Sequence, residues 1–141
     1  MEAKGQNISQ RECYLERYQK EIAPVLRQID TWIKTEDRNV SPEDLSDALG
    51  LTADEVESIL GKPLGKKLAR SDYLRVMELG TSKACRLYQR EVSCGSPLVY
   101  TPDQIAYIYD LSHDIVASTC EMLKIKAVTA YTLPQVLSRV Y

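Results

Sequence analysis

The 141-residue sequence predicts an all-α protein, a tandem duplication of one unit of about sixty residues packed as one compact helical domain. Each unit is a long helix followed by two short helices joined by a tight turn. Three observations carry this expectation. First, Ser41-Pro42-Glu43-Asp44-Leu45 recurs as Thr101-Pro102-Asp103-Gln104-Ile105, and the match continues through Leu51/Leu111, Thr52/Ser112, Asp54/Asp114, Val56/Val116 and Ser58/Ser118. Over these twenty positions there are five identities and four close substitutions. Second, apolar residues recur at alternating intervals of three and four, the period of a helix. Third, no stretch alternates with the period of a strand, although Leu98-Val99-Tyr100 beside Gly95-Ser96-Pro97 can make a brief extended arm.

The first long helix shows its apolar face in Leu15, Tyr18, Ile22, Val25, Ile29 and Trp32. Pro24 lies inside it and should kink or divide it, because proline removes a backbone donor and crowds the preceding turn. Ser41 is a good N-cap, followed by Pro42 at the first helical position and Asp44 at the capping-box position. Thr52 with Glu55 makes a second such box. Helices are therefore expected over 42–49 and 53–60. The second unit repeats the scheme. Arg70, Tyr73 and Leu74 match Arg11, Tyr14 and Leu15 at an offset of 59, and a long helix keeps the apolar register through Leu74, Met77, Ala84 and Tyr88, losing it at Thr81 and Glu91. Gly80 should loosen it at a place comparable to Pro24. Thr101, Pro102 and Gln104 then start a helix over 102–109, a further helix covers 113–123, and Pro134 begins a short last one. The two units are 1–61 and 62–141.

Composition bounds the function. With 44% hydrophobic and 27% charged residues the chain is of ordinary globular type. No apolar run approaches the roughly 18 to 20 residues of a membrane span, and Met1 to Gln10 lacks the apolar core of a signal peptide, so a cytoplasmic protein without a membrane partner is expected. Cys13, Cys85, Cys94 and Cys120 are scattered, with no Cys-x-x-Cys pair and only His113 as a histidine, which predicts free thiols and no metal site. There is no Gly-rich phosphate loop and no Gly-x-Ser-x-Gly, so neither enzymatic chemistry nor a cofactor is expected. Cys85 adjoins Arg86 but lies near the apolar face of its helix and reads as core. Tyr107, Tyr109, Tyr131 and Tyr141 cluster late and suit either an interface or a partly buried core.

The run from Leu45 to Leu60 resembles the helix-turn-helix of bacterial and phage DNA-binding regulators. Leu45, Ser46, Leu49, Gly50, Leu51, Val56 and Ile59 stand at that family's spacing, with Gly50 able to adopt the positive φ that lets two helices cross steeply. The second copy, at 102–123, keeps Ile105, Ala106, Leu111 and Val116 but has Tyr109, Asp110 and Thr119 where the first has Leu, Gly and Ile. The resemblance implies that the second helix of each pair would lie in the major groove. The first copy would present Thr52, Ala53, Asp54, Glu55, Glu57 and Ser58, with no Arg, Lys, Asn or Gln and with three carboxylates facing phosphates. The second would present Ser112, His113, Asp114, Ala117 and Ser118, which makes Ser112 and His113 the better candidates for DNA contact.

The net charge of −2 is unevenly spread. Residues 1–60 carry 7 Lys/Arg against 13 Asp/Glu, and residues 61–100 carry 8 against 3. Lys62, Lys66, Lys67 and Arg70 follow the first motif. Along the second long helix Arg75, Lys83, Arg86 and Arg90 fall within an arc of about 80° opposite its apolar face, where Asp72 is the only acidic residue. Such a stripe serves as a solvated face, as a contact for a nucleic-acid backbone, or as a dock for the acidic unit of another subunit. The leading expectation is a small non-enzymatic transcriptional regulator of helix-turn-helix type, acting on DNA as a homodimer or through its two tandem units. The alternatives are a protein-interaction module, using the acidic helix 53–60 to bind a basic partner or to mimic nucleic acid, and a structural subunit of a larger assembly.

Overall fold

The computed structural model describes residues 12–35, 40–61 and 67–141, and all the regular structure among them is helical. The elements are α1 (Tyr14–Glu21), α2 (Ala23–Thr35), α3 (Pro42–Leu49), α4 (Ala53–Leu60), α5 (Arg70–Leu79), α6 (Lys83–Ser93), α7 (Pro102–Tyr109), α8 (His113–Met122) and α9 (Leu133–Leu137). They form two compact units, residues 22–96 and residues 1–21 with 97–141.

The expected first long helix is divided at Ile22, so that Pro24 stands in the first turn of α2, where its missing N–H would have had no partner. The expected second long helix is also two helices. Gly80 closes α5, and Ser82 caps α6 by accepting from the Cys85 N–H at 3.3 Å. Thr81, where the apolar register fails, lies in the turn between them. The break has a steric reason as well. Gly80 is buried, and a Cβ built there would come within 2.7 Å of Cys85 Sγ and 2.8 Å of the Val76 carbonyl oxygen.

Within the unit 22–96, α5 is the central element and packs against α2, α4 and α6. Its Tyr73 and Val76 are fully buried, and the Tyr73 ring lies 5.9 Å from that of Trp32. The α3–α4 pair forms as its residues demand. Ser41 and Asp44 make a reciprocal capping box, Gly50 closes α3 in the left-handed region at φ 72°, and Leu45, Leu49 and Val56 are buried across the turn. The box expected from Thr52 and Glu55 forms only by half. Thr52 Oγ1 accepts from the Glu55 N–H at 3.1 Å, but the Glu55 carboxylate turns to Thr81, accepting from its N–H at 3.1 Å and from its hydroxyl at 2.9 Å.

In the other unit α7 and α8 pair in the same manner, and α9 packs against α1 and α8. Thr101 and Gln104 complete the box at the start of α7, and Asp110 closes it in the left-handed region at φ 56°. Ile105, Ile108 and Val116 are fully buried. Tyr109 is buried beside Tyr14 and Tyr18 of α1, each 5.8 Å away with rings set edge to face, and the Tyr14 N–H donates to the Val140 carbonyl at 2.6 Å. Tyr107, Tyr131 and Tyr141 are exposed. The extended arm amounts to a single antiparallel bridge, Tyr100 to Val128.

Packing therefore groups the helices differently from the tandem halves 1–61 and 62–141. The helix beside the second pair is α1, from the beginning of the chain, while α5 and α6, which precede that pair in sequence, belong with α2, α3 and α4. The hydrophobic faces of α5 explain this: its Tyr73, Val76 and Met77 are enclosed by neighbours from both sides of residue 61.

Candidate nucleic-acid interface

Of the cations expected to contact nucleic acid, Lys62 and Lys66 lie outside the described residues. Lys67, Arg70 and Arg75 are exposed in the unit 22–96, and two of them also serve the fold. Arg70 Nε donates to the Ile33 carbonyl at 3.2 Å, and Arg75 Nε donates to the Ile59 carbonyl at 3.4 Å, so each guanidinium closes the last turn of a neighbouring helix, α2 or α4.

Because the chain turns at 80–82, Arg75 does not share a helix face with Lys83, Arg86 and Arg90. These last three remain together on α6. They fall within an arc of about 60°, with the buried Ala84 and Cys85 on the far side and the buried Leu87 on the flank next to Lys83; Lys83 and Arg86 are exposed and Arg90 is half-buried. Glu91 lies outside that arc, on the flank toward Leu87. Asp72, which the continuous helix would have set in the stripe, is buried instead and accepts from the Ala69 N–H at 2.7 Å.

Ser112 and His113 lie in the other unit, and both are engaged. Ser112 Oγ caps α8 by accepting from the Ile115 N–H. His113 Nε2 pairs with Asp103 Oδ1 of α7, and its Nδ1 lies 3.7 Å from Asp114 Oδ1. The exposed positions of α8 are His113, Asp114, Ile115, Ser118, Glu121 and Met122, without a lysine or arginine. On α4 the exposed residues are Asp54 and Ser58, again without a cation.

Cys85 is fully buried, and burial pushes its thiol above the usual range against the lowering effect of the Ser82 hydrogen bond; burial also raises Cys120. Neither has the depressed pKa of a nucleophilic thiol. Among the described residues no three His, Cys, Asp or Glu side chains are grouped to hold a metal ion, and no helix is long and apolar enough to cross a membrane.

The α5–α6 turn was missed in the sequence, yet its signal is present there. Leu49-Gly50-Leu51-Thr52 and Leu79-Gly80-Thr81-Ser82 share the pattern of an apolar helix end, a glycine, and a hydroxyl cap two residues later. The apolar register on either side of Thr81 masked it. Comparison with known protein families, curated protein sequences and solved structures gives no match to this chain.

Proposed function

We propose that the protein is a small, non-enzymatic regulatory protein that binds double-stranded DNA, with its contact surface in the unit 22–96. The observation that carries this reading is the outer face of α6, where Lys83, Arg86 and Arg90 follow one another over about 10 Å of helix axis. A row of cations on a rigid helix suits the regular array of phosphates along a duplex, and each phosphate neutralised releases condensed counterions. Lys67, Arg70 and Arg75, exposed in the same unit, add to its positive surface. Neither α4 nor α8 supports the contact, because both expose carboxylates and no Lys or Arg. The experiment is fluorescence anisotropy of the full chain with mixed-sequence duplex DNA at about 50 mM salt, comparing the wild type with Arg86→Glu/Arg90→Glu. The reading expects binding that the double reversal abolishes; absent binding, or unchanged affinity of the variant, would count against it.

A second reading, a protein-interaction module, is favoured by α4. Its exposed Asp54 and half-buried Glu57 give that helix a purely acidic character, suited to a basic protein partner. Capture of a partner that persists after nuclease treatment, and is lost in Asp54→Lys/Glu57→Lys, would favour this reading over the first.

A further inference from the structure

We propose that α5 and α6 form a third helix-turn-helix hairpin, and that α6 enters the major groove of duplex DNA and reads it through Arg86. This rests on the DNA-binding reading above and extends it from contact with the backbone to recognition of bases.

Three hairpins recur along the chain with their linkers thirty residues apart: Gly50-Leu51-Thr52 between α3 and α4, Gly80-Thr81-Ser82 between α5 and α6, and Asp110-Leu111-Ser112 between α7 and α8. In each the third linker residue is a hydroxyl that caps the second helix. The sixty-residue repeat is thus two steps of a thirty-residue spacing. The middle hairpin differs in its turn, since Gly80 is extended at φ −71° where Gly50 and Asp110 are left-handed.

Only one of the three second helices exposes cations. Phosphates flank the groove on both sides, so a helix that carries exposed carboxylates and no compensating Lys or Arg is repelled from it. That disposes of α4, with Asp54, and of α8, with Asp114 and Glu121. The exposed residues of α6 are Lys83, Arg86, Val92 and Ser93; Lys83, Arg86 and Ser93 share one face, with the half-buried Arg90 between Lys83 and Arg86, and Val92 lies on the other side. The helix is about 16 Å long and, with side chains, about 10–12 Å in diameter, against a major groove about 12 Å wide. It leans principally on α5, leaving the opposite flank outward.

A reading helix must also be held firmly. Gln89 does this from the flank of α6: its amide nitrogen donates to the Met77 carbonyl at 3.0 Å and to the Gly80 carbonyl at 2.9 Å, tying α6 to the end of α5 and to the turn. Glu55 grips the other side of the same turn through Thr81. Arg86 stands in the middle of the cationic row, with Lys83 and Arg90 about one turn to either side. Its planar fork matches the paired acceptors N7 and O6 on the guanine edge, while Lys83 and Arg90 meet the phosphates. Arg86 is therefore the specificity residue and Gln89 a positioning residue.

The test is selection of preferred duplexes from a randomised pool by the full wild-type chain, followed by anisotropy of Arg86→Lys, Arg86→Ala and Ser118→Ala on the selected and on a scrambled duplex, with far-UV circular dichroism to establish folding. Arg86→Lys keeps the charge and loses the fork, so it should weaken binding to the selected duplex by between about fivefold and about 150-fold while leaving the scrambled duplex nearly unchanged. Ser118→Ala, on α8, should bind both as the wild type does. The inference alone is overturned if the wild type binds DNA without preference, if both Arg86 variants retain the preference, or if Ser118→Ala loses it. Absence of any duplex binding overturns the DNA-binding reading and this inference together.

Discussion

Gly80→Ala should destabilise the protein by about 1–2 kcal/mol, and the size of the effect follows from what surrounds the turn. The new methyl group would meet Cys85 Sγ at 2.7 Å, the Val76 carbonyl oxygen at 2.8 Å and Leu51 Cδ1 at 3.2 Å. The Leu51 methyl can swing aside, but the Val76 carbonyl belongs to the last turn of α5 and accepts from the Gly80 N–H at 2.7 Å, so it cannot yield without breaking that bond. Overpacking of this kind costs about 1–3 kcal/mol. Alanine also lowers the entropy of the unfolded chain, which offsets about 0.4–1 kcal/mol. Urea unfolding followed by circular dichroism should show the midpoint falling by about 0.5–1 M at unchanged slope. The contrast with Gly50 separates causes. No atom lies within 4 Å of a Cβ built at Gly50, and its φ of +72° is the only obstacle, so Gly50→Asn should be nearly neutral because asparagine tolerates the left-handed region. Gly80→Asn should be at least as damaging as Gly80→Ala. A Gly80→Ala midpoint equal to or above the wild type would refute the steric account of the turn.

Four further outcomes follow from contacts elsewhere in the fold. A double-mutant cycle of Glu55→Ala and Thr81→Ala should give a coupling of about 0.5–1 kcal/mol in urea unfolding, since the hydrogen bonds are exposed although one partner is charged; zero coupling would detach α4 from the α5–α6 turn. Ser41→Ala and Thr101→Ala should each cost about 1 kcal/mol by removing a complete capping box, measured in the same way. Cys94, half-exposed, should react with an aromatic disulfide reagent well before Cys85 and Cys120, whose thiols are buried and raised in pKa. Because the native Cys85 pKa lies above its ordinary value of 9.0, its contribution to stability is present below about pH 9 and is lost as pH rises through the native value; a urea midpoint that rises between pH 8.5 and pH 10.5 in wild type but not in Cys85→Ala would contradict this.

The helices flanking the two recognised turns were legible because their signals are local. Ser41-Pro42, Thr101-Pro102, Gly50 and the apolar positions around them determine their own neighbourhoods, and 42–49, 53–60 and 102–109 are helical as expected. The long helices were not, because apolar periodicity reports a face and not continuity. Leu74, Met77, Ala84 and Tyr88 keep one register on paper although Gly80 and Ser82 divide them in space, and only the weak spot at Thr81 marks the division. The same division removes Arg75 from the basic face and leaves Lys83, Arg86 and Arg90 as its intact part. Grouping of the helices was beyond local signals, since the pairing of α1 with α7 and α9 depends on contacts such as Tyr14 to Tyr109 and Val140, separated by most of the chain. Cap chemistry was legible only by half for the same reason: Thr52-x-x-Glu55 satisfies the local rule, but Thr81 competes for the carboxylate from outside it.

The salt dependence of binding shows whether the α6 face meets the phosphates of duplex DNA. On a mixed-sequence duplex, where Arg86 meets a phosphate instead of a guanine edge, Lys83, Arg86 and Arg90 neutralise three phosphates, and the affinity of the full chain should fall about 40-fold between 50 mM and 200 mM salt, with a logarithmic slope of about −3 or steeper. Arg86→Gln/Arg90→Gln should make that slope shallower by about two. A slope that both proteins share, or no binding by the wild type at 50 mM salt, would contradict the account.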